Sequence, residues 1–583
     1  MILQSLTAFY DRMVQEPESH IPLPGFSNQG IHFCLTLSKE GQLTGDPIDL
    51  RVDGKPRQLI VPQAVKRSSG VAANFCWDNT TYVLGADEKN KPEQAKARFE
   101  AFKTLFHLVT DKNEDTGVKA LSLFLETWNP EAANSLRFWD EMTGSNLVFR
   151  LEGDNLFLHQ RPAIIKAWKK YLEQDNDTKS GHCLVSGEIE PISRLHPAIK
   201  GIPGAQTSGA ALVSFNLPSF TSFGKEQNLN APIGNTATFA YTTALNYLLD
   251  RSNRRKIQIG DATTIFWAEK TSPVEDLFSF MVDPDLIHDE GYQSQSTEQD
   301  KKELEQKLHA VLKATASGHR PKELDQEDNL FFILGLSPNA ARISVRFFHV
   351  ATVRQLTDTI GLHYRQMEIV KQYDNEPDFI SPRRILKALA VREDTKNLSP
   401  ILSGQLMQAI FTGNSYPRSL LAAVMGRIRA EGKIDRIRSG LIKAILMRNQ
   451  KMEIPIMLDP ENTQTGYVLG RLFAILEKLQ EEAVPGTNAT IRDKFFSSAS
   501  ATPQRTFHVL LKNAQNHLSK LRKDPSSTGL SITRDKMITD IVAMLDTYPA
   551  ILSIEDQGLF TLGYYHQKKA FFTKKSTPET VEA

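Results

Sequence analysis

Cysteine is scarce in this chain, with Cys34, Cys76 and Cys183 the only three in 583 residues. No C-x-x-C pair exists to start a zinc site or a dithiol, and so few thiols fit a reducing cytoplasm better than a disulfide framework. Long apolar runs are also lacking, and none approaches the roughly 20 residues that a membrane span needs. Asp11 and Arg12 interrupt the first apolar positions, and no basic stretch precedes them, so no signal peptide is expected. Nucleotide and acyl-transfer motifs are incomplete or absent. The loop from Gly204 to Gly209 has the outer glycines of a phosphate-binding P-loop. Ala210 and Ala211, however, stand where Lys and Ser/Thr would reach the phosphates and magnesium. There is no G-x-S-x-G nucleophile elbow.

Metal and acid–base constellations are thin as well. His182, Cys183 and His196 match no common ligand spacing. His288-Asp289 stands in an acidic segment without partner histidines, and Asp261 reads as a turn residue before a β-branched run. A metal-dependent nuclease or phosphohydrolase using His196, Asp261, Glu269 or His288 is the alternative these residues leave open. It would require their side chains to converge on one ion.

What is present begins with Gly181 to Glu269, a stretch too polar and glycine-rich for ordinary core. Short apolar segments (Cys183 to Val185, Ala211 to Phe215, Thr264 to Trp267) alternate there with Gly, Ser, Thr, Asn and Gln. Such sequences supply backbone and amide donors suited to phosphates and base edges. Formal net charge is only +1, yet it is unevenly spread. Basic residues dominate from Arg342 to Arg448, and acidic ones concentrate between Glu275 and Asp328; local fields of this kind steer nucleic acid even when the sum is near neutral.

The length predicts two to four domains. The periodicity predicts a first amphipathic helix through Ile2, Leu6, Phe9 and Met13, and a strand from Ile31 to Leu37. A short strand is expected at Tyr82 to Leu84, then helices near 93–109, 118–128 and 164–172. A hairpin is expected from Phe149–Leu151 and Leu156–His159. The fold class expected is α+β, a mixed N-terminal portion followed by a predominantly helical C-terminal bundle. The expected divisions are 1–272, an acidic excursion at 273–328, a hairpin at 329–350 returning to the N-terminal sheet, a basic helical portion at 351–456, and a bundle at 457–583. In the last, Gly466, Gly470 and Ala474 form a small-residue face beside an apolar stripe from Val468 to Leu479. The residues after Thr573 read as a disordered tail.

Several runs together have a family likeness: C-L-V-S-G-E, R-L-H-P, I-K-G, G-A-Q-T-S-G-A, F-G-K-E-Q-N, Y-T-T-A-L-N and I-G-D-A-T-T-x-F-W-A-E. With Ile21-Pro22-Leu23-Pro24-Gly25-Phe26 and the loop Lys66 to Gly70, they make the chain resemble the large subunit of the type I-C CRISPR surveillance complex, Cascade, a Csd-type CRISPR-associated protein. The likeness runs in order across the first half. It implies a cytoplasmic, non-catalytic subunit without a cofactor, which recognises the PAM duplex, aids strand separation and R-loop formation, and offers a docking surface to a helicase–nuclease. The partners it implies are CRISPR guide RNA, target double-stranded DNA, Cascade backbone subunits, a guide-RNA-processing subunit and a small helical subunit, with no membrane. In such complexes the small subunit can arise by internal translation, for which Met447, Met452 and Met457 are placed.

With that likeness, the candidate contacts are two loops. Lys66, Arg67, Ser68 and Ser69 place two cations beside two hydroxyls, where Asn74 or Asn79 could approach a base edge. Lys200, Gln206, Thr207 and Ser208 sit among glycines that let backbone amides approach a phosphate. Lys225 and Asn228 follow Phe220 and Phe223, aromatics that could stack on a base or belong to the core.

Overall fold

The computed structural model describes residues 1–16, 19–65, 67, 70–86, 92–173, 179–250, 253–260, 262–289, 298–319 and 328–572. Lys66, Ser68, Ser69, Asp261 and the expected C-terminal tail lie outside them. The chain forms two compact units: Met1–Lys200 with Ser208–Tyr247, and Gly201–Thr207 with Leu248–Ala583. The architecture is the expected one, short strands and helices first and many helices after.

In the first unit, the helix Ile2–Gln15 buries Leu6, Phe9, Tyr10 and Met13. Strand Phe33–Leu37 is buried at every residue, the pattern of a strand covered on both faces. It pairs in parallel with Asn146–Leu151 and antiparallel with Ile48–Asp49. A parallel pair needs a long crossover, and the helices Pro92–Val109 and Thr116–Thr127 lie within it. Phe75 stacks between Trp168 and Phe106, with ring centroids 5.0 and 5.9 Å away.

Two expected elements take another form. Tyr82 lies in a helical turn, Thr80–Val83, rather than a strand. The cause is Asn79, whose Oδ1 accepts from the Thr81 N–H at 3.1 Å and starts the helix. The second arm of the 149–159 hairpin reduces to one bridge, Arg150 to Phe157, before Leu158–Gln160 winds into a 3-10 turn. There the Gln160 side chain takes the Phe157 N–H at 3.1 Å.

The second unit carries its own antiparallel sheet, in the order Arg342–Thr352, Leu330–Asn339, Ala262–Ala268, Lys256–Ile259. The hairpin around Ser337-Pro338-Asn339 is present and pairs with Ala262–Ala268, a strand inside the expected 1–272 portion, in a sheet other than that of Phe33–Leu37. The reason is that it has a core of its own. Phe266 meets Phe278 at 4.6 Å and Phe331 at 6.0 Å. Phe278 comes from the helix Val274–Val282, where Leu277, Phe280 and Met281 are buried too. The acidic excursion therefore contains core, its apolar residues masked in composition by flanking acids. One of those acids, Glu275, is itself buried, accepting from the Ala268 N–H at 2.9 Å.

Helices Thr465–Ala483 and Ile554–Ala570 pack along the small-residue face. A Cβ at Gly470 would stand 2.0 Å from the Phe560 carbonyl oxygen, and one at Gly563 would stand 2.1 Å from that of Tyr467. Only glycine allows backbones this close. No described helix is long and apolar enough to cross a membrane.

Candidate nucleic-acid interface

Arg67 and the residues that follow the first expected contact loop are gathered by a buried carboxylate. Asp78 accepts from the Asn74 and Asn79 N–H groups, both at 2.8 Å, and pairs with Arg67. Burial pushes its carboxyl above the ordinary value, against the pull of Arg67 and the two amides. A buried charge needs such company, and it recruits the residues expected to face DNA. The Arg67 guanidinium also donates to the Ala72 carbonyl at 2.6 Å and lies 4.1 Å from the Tyr82 ring centroid. Asn74 is buried, its Oδ1 accepting from the Val65 N–H at 2.9 Å. Asn74 therefore holds the loop and Asn79 caps a helix. Lys66, Ser68 and Ser69 fall outside the described residues.

The basic segment of the second unit turns much of its charge inward. Arg383 and Arg384 pair with Asp283 and Asp285, at 2.8 and 2.7 Å. Arg436 is buried against the carbonyls of Ile369 at 3.3 Å, Asp378 at 3.0 Å, and Pro377. Arg438 reaches the Ala388 carbonyl at 3.0 Å and pairs with Asp435 and Glu431. Arg448 donates to Ala409 O at 2.7 Å and Gln366 Oε1 at 2.8 Å. Lys443 donates to Gln366 O at 3.3 Å, and burial lowers its ammonium to about 8. Arg427 pairs with Glu431, and Arg429 with Gln557. Arg365 and Lys387 are exposed.

The polar, glycine-rich stretch is arranged differently. Cys183 is buried, and its sulfur accepts from the N–H groups of Gly234 at 3.2 Å and Val185 at 3.4 Å. Ile199 and Ala210 exchange both backbone bonds at 2.9 Å, so the residues between them form a loop. Lys200 and Ser208 are exposed members of the first unit, and Gln206 and Thr207 are exposed members of the second. The Lys200 N–H donates to Asn246 Oδ1 at 2.8 Å. No helix follows Gly209 to make a P-loop of this turn.

Within the first unit, Ser222 and Lys225 bridge around Phe223 and Gly224, whose φ values are +50° and +69°. Two left-handed residues in succession make a type I′ turn. Lys225 is exposed, and Phe223 is 99% exposed. Phe220 instead packs edge-on against Phe215, centroids 6.3 Å apart. Beside the turn lies a cavity of about 360 Å³, bordered by Leu195, His196, Val213, Thr221, Glu226 and Asn228, among others. His196 is fixed in its wall, Nδ1 lying 2.5 Å from the Tyr241 hydroxyl and Nε2 3.4 Å from Thr238 Oγ1. Burial lowers the imidazole to about 4, so it is neutral at pH 7. Sequence reasoning names Lys225, Asn228 and Phe223, but nothing in their spacing announces the cavity.

The residues of the nuclease alternative are dispersed in role. His196 is engaged by Tyr241 and Thr238, the Glu269 N–H donates to Leu330 O at 2.7 Å, and His288 lies 3.9 Å from Glu305. Asp261 is outside the described residues. Among the described residues no group of three or more His, Cys, Asp or Glu side chains is placed to hold a metal ion.

Comparison with curated proteins gives no match. A family model does match, that of the CRISPR-associated protein Cas_Csd1, over residues 6–572. With nearly the whole chain covered, and with the fold in the order the sequence likeness implied, this protein belongs to the Cas_Csd1 family of CRISPR-associated proteins.

Proposed function

We propose that this CRISPR-associated chain is the non-catalytic large subunit of a type I-C guide-RNA-directed surveillance complex, contacting the PAM duplex and the separating strands. The observation that carries the reading is the segment from Lys200 to Asn228 of a Cas_Csd1 chain. Its exposed Lys200, Ser208 and Lys225 lie in the first unit, and Gln206 and Thr207, also exposed, in the second. Lysines and hydroxyls on loops suit phosphate, and a glutamine amide suits a base edge. Guide RNA reads sequence by pairing in such a complex, so the protein needs only a short duplex motif and a path for strands. Backbone and guide-RNA-processing subunits, a small helical subunit and a helicase–nuclease complete the partners in this reading.

The test is reconstitution with the companion subunits and guide RNA, followed by binding of target duplexes with and without the flanking motif at several salt concentrations. Motif-dependent binding that Gln206→Ala weakens by roughly 1–3 kcal/mol supports a base contact. Cleavage of DNA by the purified chain, or motif-independent binding by the complex, overturns the reading.

A further inference from the structure

The cavity beside the Ser222–Lys225 turn combines features that the contact loops do not explain. Asn228 is only 2% exposed, yet it borders the cavity and its carboxamide makes no hydrogen bond to another described residue. An amide placed at a cavity wall in this way is free to pair with a group that enters the cavity. Leu195, Val213, Leu217 and Pro218 give the cavity apolar walls, suited to the faces of a flat ring. Its volume, about 360 Å³, is at the lower end of the range for small-ligand pockets. Glu226 also borders it, and a carboxylate there repels phosphate while accepting from an exocyclic amino group. Thr221 and Glu226 flank the turn that exposes Phe223 and Lys225, so an aromatic face and a cation stand beside the cavity.

We infer that this cavity binds one unpaired nucleobase of a single DNA strand, with Phe223 stacking on the adjacent base and Lys225 meeting its phosphate. Asn228 and Glu226 would read the base edge, favouring the amino-bearing cytosine or adenine over thymine. The inference rests on the reading of the chain as a DNA-contacting subunit and specifies which strand state it meets.

The experiment uses the purified full chain and fluorescein-labelled 12-nucleotide single strands of oligo-dC, oligo-dT and an abasic backbone, read by anisotropy at fixed salt. The expected order is oligo-dC tightest, oligo-dT several-fold weaker and the abasic strand weakest. Phe223→Ala should weaken oligo-dC binding about 5- to 150-fold, the range of base–aromatic stacking, and leave abasic binding unchanged. Its ring touches solvent alone, so an unchanged melting midpoint will show the fold intact. Glu226→Gln should narrow the gap between oligo-dC and oligo-dT. Equal binding of abasic and base-bearing strands, no effect of Phe223→Ala, or tighter binding of the matching oligo-C RNA would each overturn the inference. Motif-dependent duplex binding by the assembled complex is a separate readout. If it persists while the single-strand selectivity is absent, the cavity assignment fails and the subunit reading stands.

Discussion

The segment from Lys200 to Asn228 and the basic helices from Arg383 to Arg448 both look, as sequence, like surfaces for nucleic acid. Inside the folded chain they behave oppositely. Arg436, Arg438, Lys443 and Arg448 are turned onto main-chain carbonyls left open by their neighbours. The carbonyls of Gln366, Ala388 and Ala409 lie in the last turns of their helices and that of Ile369 just past one, where intrahelical donors run short. In the other segment Lys200, Lys225 and Phe223 face solvent, and Asn228 faces a cavity. Positive charge in a helical region thus marks demand for donors as readily as demand for phosphate. Exposed or unpartnered groups discriminate between the two; the charge count does not.

The contrast breaks most visibly at Arg436. Arg436→Ala should cost about 3–5 kcal/mol, because it removes a buried guanidinium and leaves the Ile369, Pro377 and Asp378 carbonyls without that donor. Arg436→Lys should restore little, since a single ammonium cannot present the forked donors that reach three carbonyls. Thermal and denaturant unfolding of the full chain measure both. A variant that stays as stable as wild type but binds DNA less well would put Arg436 on the interface after all.

Acid should probe the cavity wall. Folding holds His196 at about 4, below its ordinary 6.5, so the unfolded chain takes up a proton first as pH falls. Its contribution is complete above about pH 6.5 and is lost as pH falls towards 4. At pH 5 the loss is about 2 kcal/mol. His196→Gln should be less sensitive than wild type to a change from pH 7.5 to pH 5 by about that amount. Equal sensitivity of the two proteins would show that His196 is protonated in the folded state.

How far the sequence is legible follows the range of the signals. The stripe from Val468 to Leu479 and the glycines beside it announce a tight helix contact, since periodicity and residue size are local. The partner helix Ile554–Ala570 is hidden, because its polar and aromatic residues, Gln557, Tyr564, His566 and Gln567, are buried all round and show little amphipathic pattern. Asn74 and Asn79 mislead for a different reason. Their side-chain oxygens are taken by the N–H groups of Val65 and Thr81 and their own N–H groups by Asp78, which is placed by strand pairing with Asn146–Leu151. The acidic run hides the helix Val274–Val282 because composition averages over residues that a fold sorts by face. Lys225 and Phe223 are legible as types but not as exposed, and Phe220, three residues away, packs against Phe215 instead.

A milder change sharpens the comparison from the solvent side. Lys200→Ala with Lys225→Ala should alter stability by no more than about 0.5 kcal/mol, as is usual for exposed positions. In the assembled complex the same pair should weaken binding on all sequences and flatten the salt dependence by about one unit for each phosphate no longer neutralised. An unchanged slope would leave these lysines as plain solvated surface.

The smallest effect has a reversed sign. Phe223 adopts φ +50° while 99% exposed, so it bears the cost of a left-handed conformation without packing that would offset it. The adjacent Gly224, also left-handed at φ +69°, occupies the same type of turn position at no such cost. Phe223→Gly should remove side-chain strain worth about 1 kcal/mol, offset in part by the greater freedom of glycine in the unfolded chain. The expected net result is a stabilisation of a few tenths of a kcal/mol, with Phe223→Asn giving a similar gain, since asparagine tolerates this region. Both variants should bind single-stranded oligo-dC more weakly than wild type. A gain in stability together with weaker binding is the signature of a residue kept for contact rather than for folding. If Phe223→Gly lowers the melting midpoint instead, the ring is packing within the protein and the turn belongs with the inward-facing arginines.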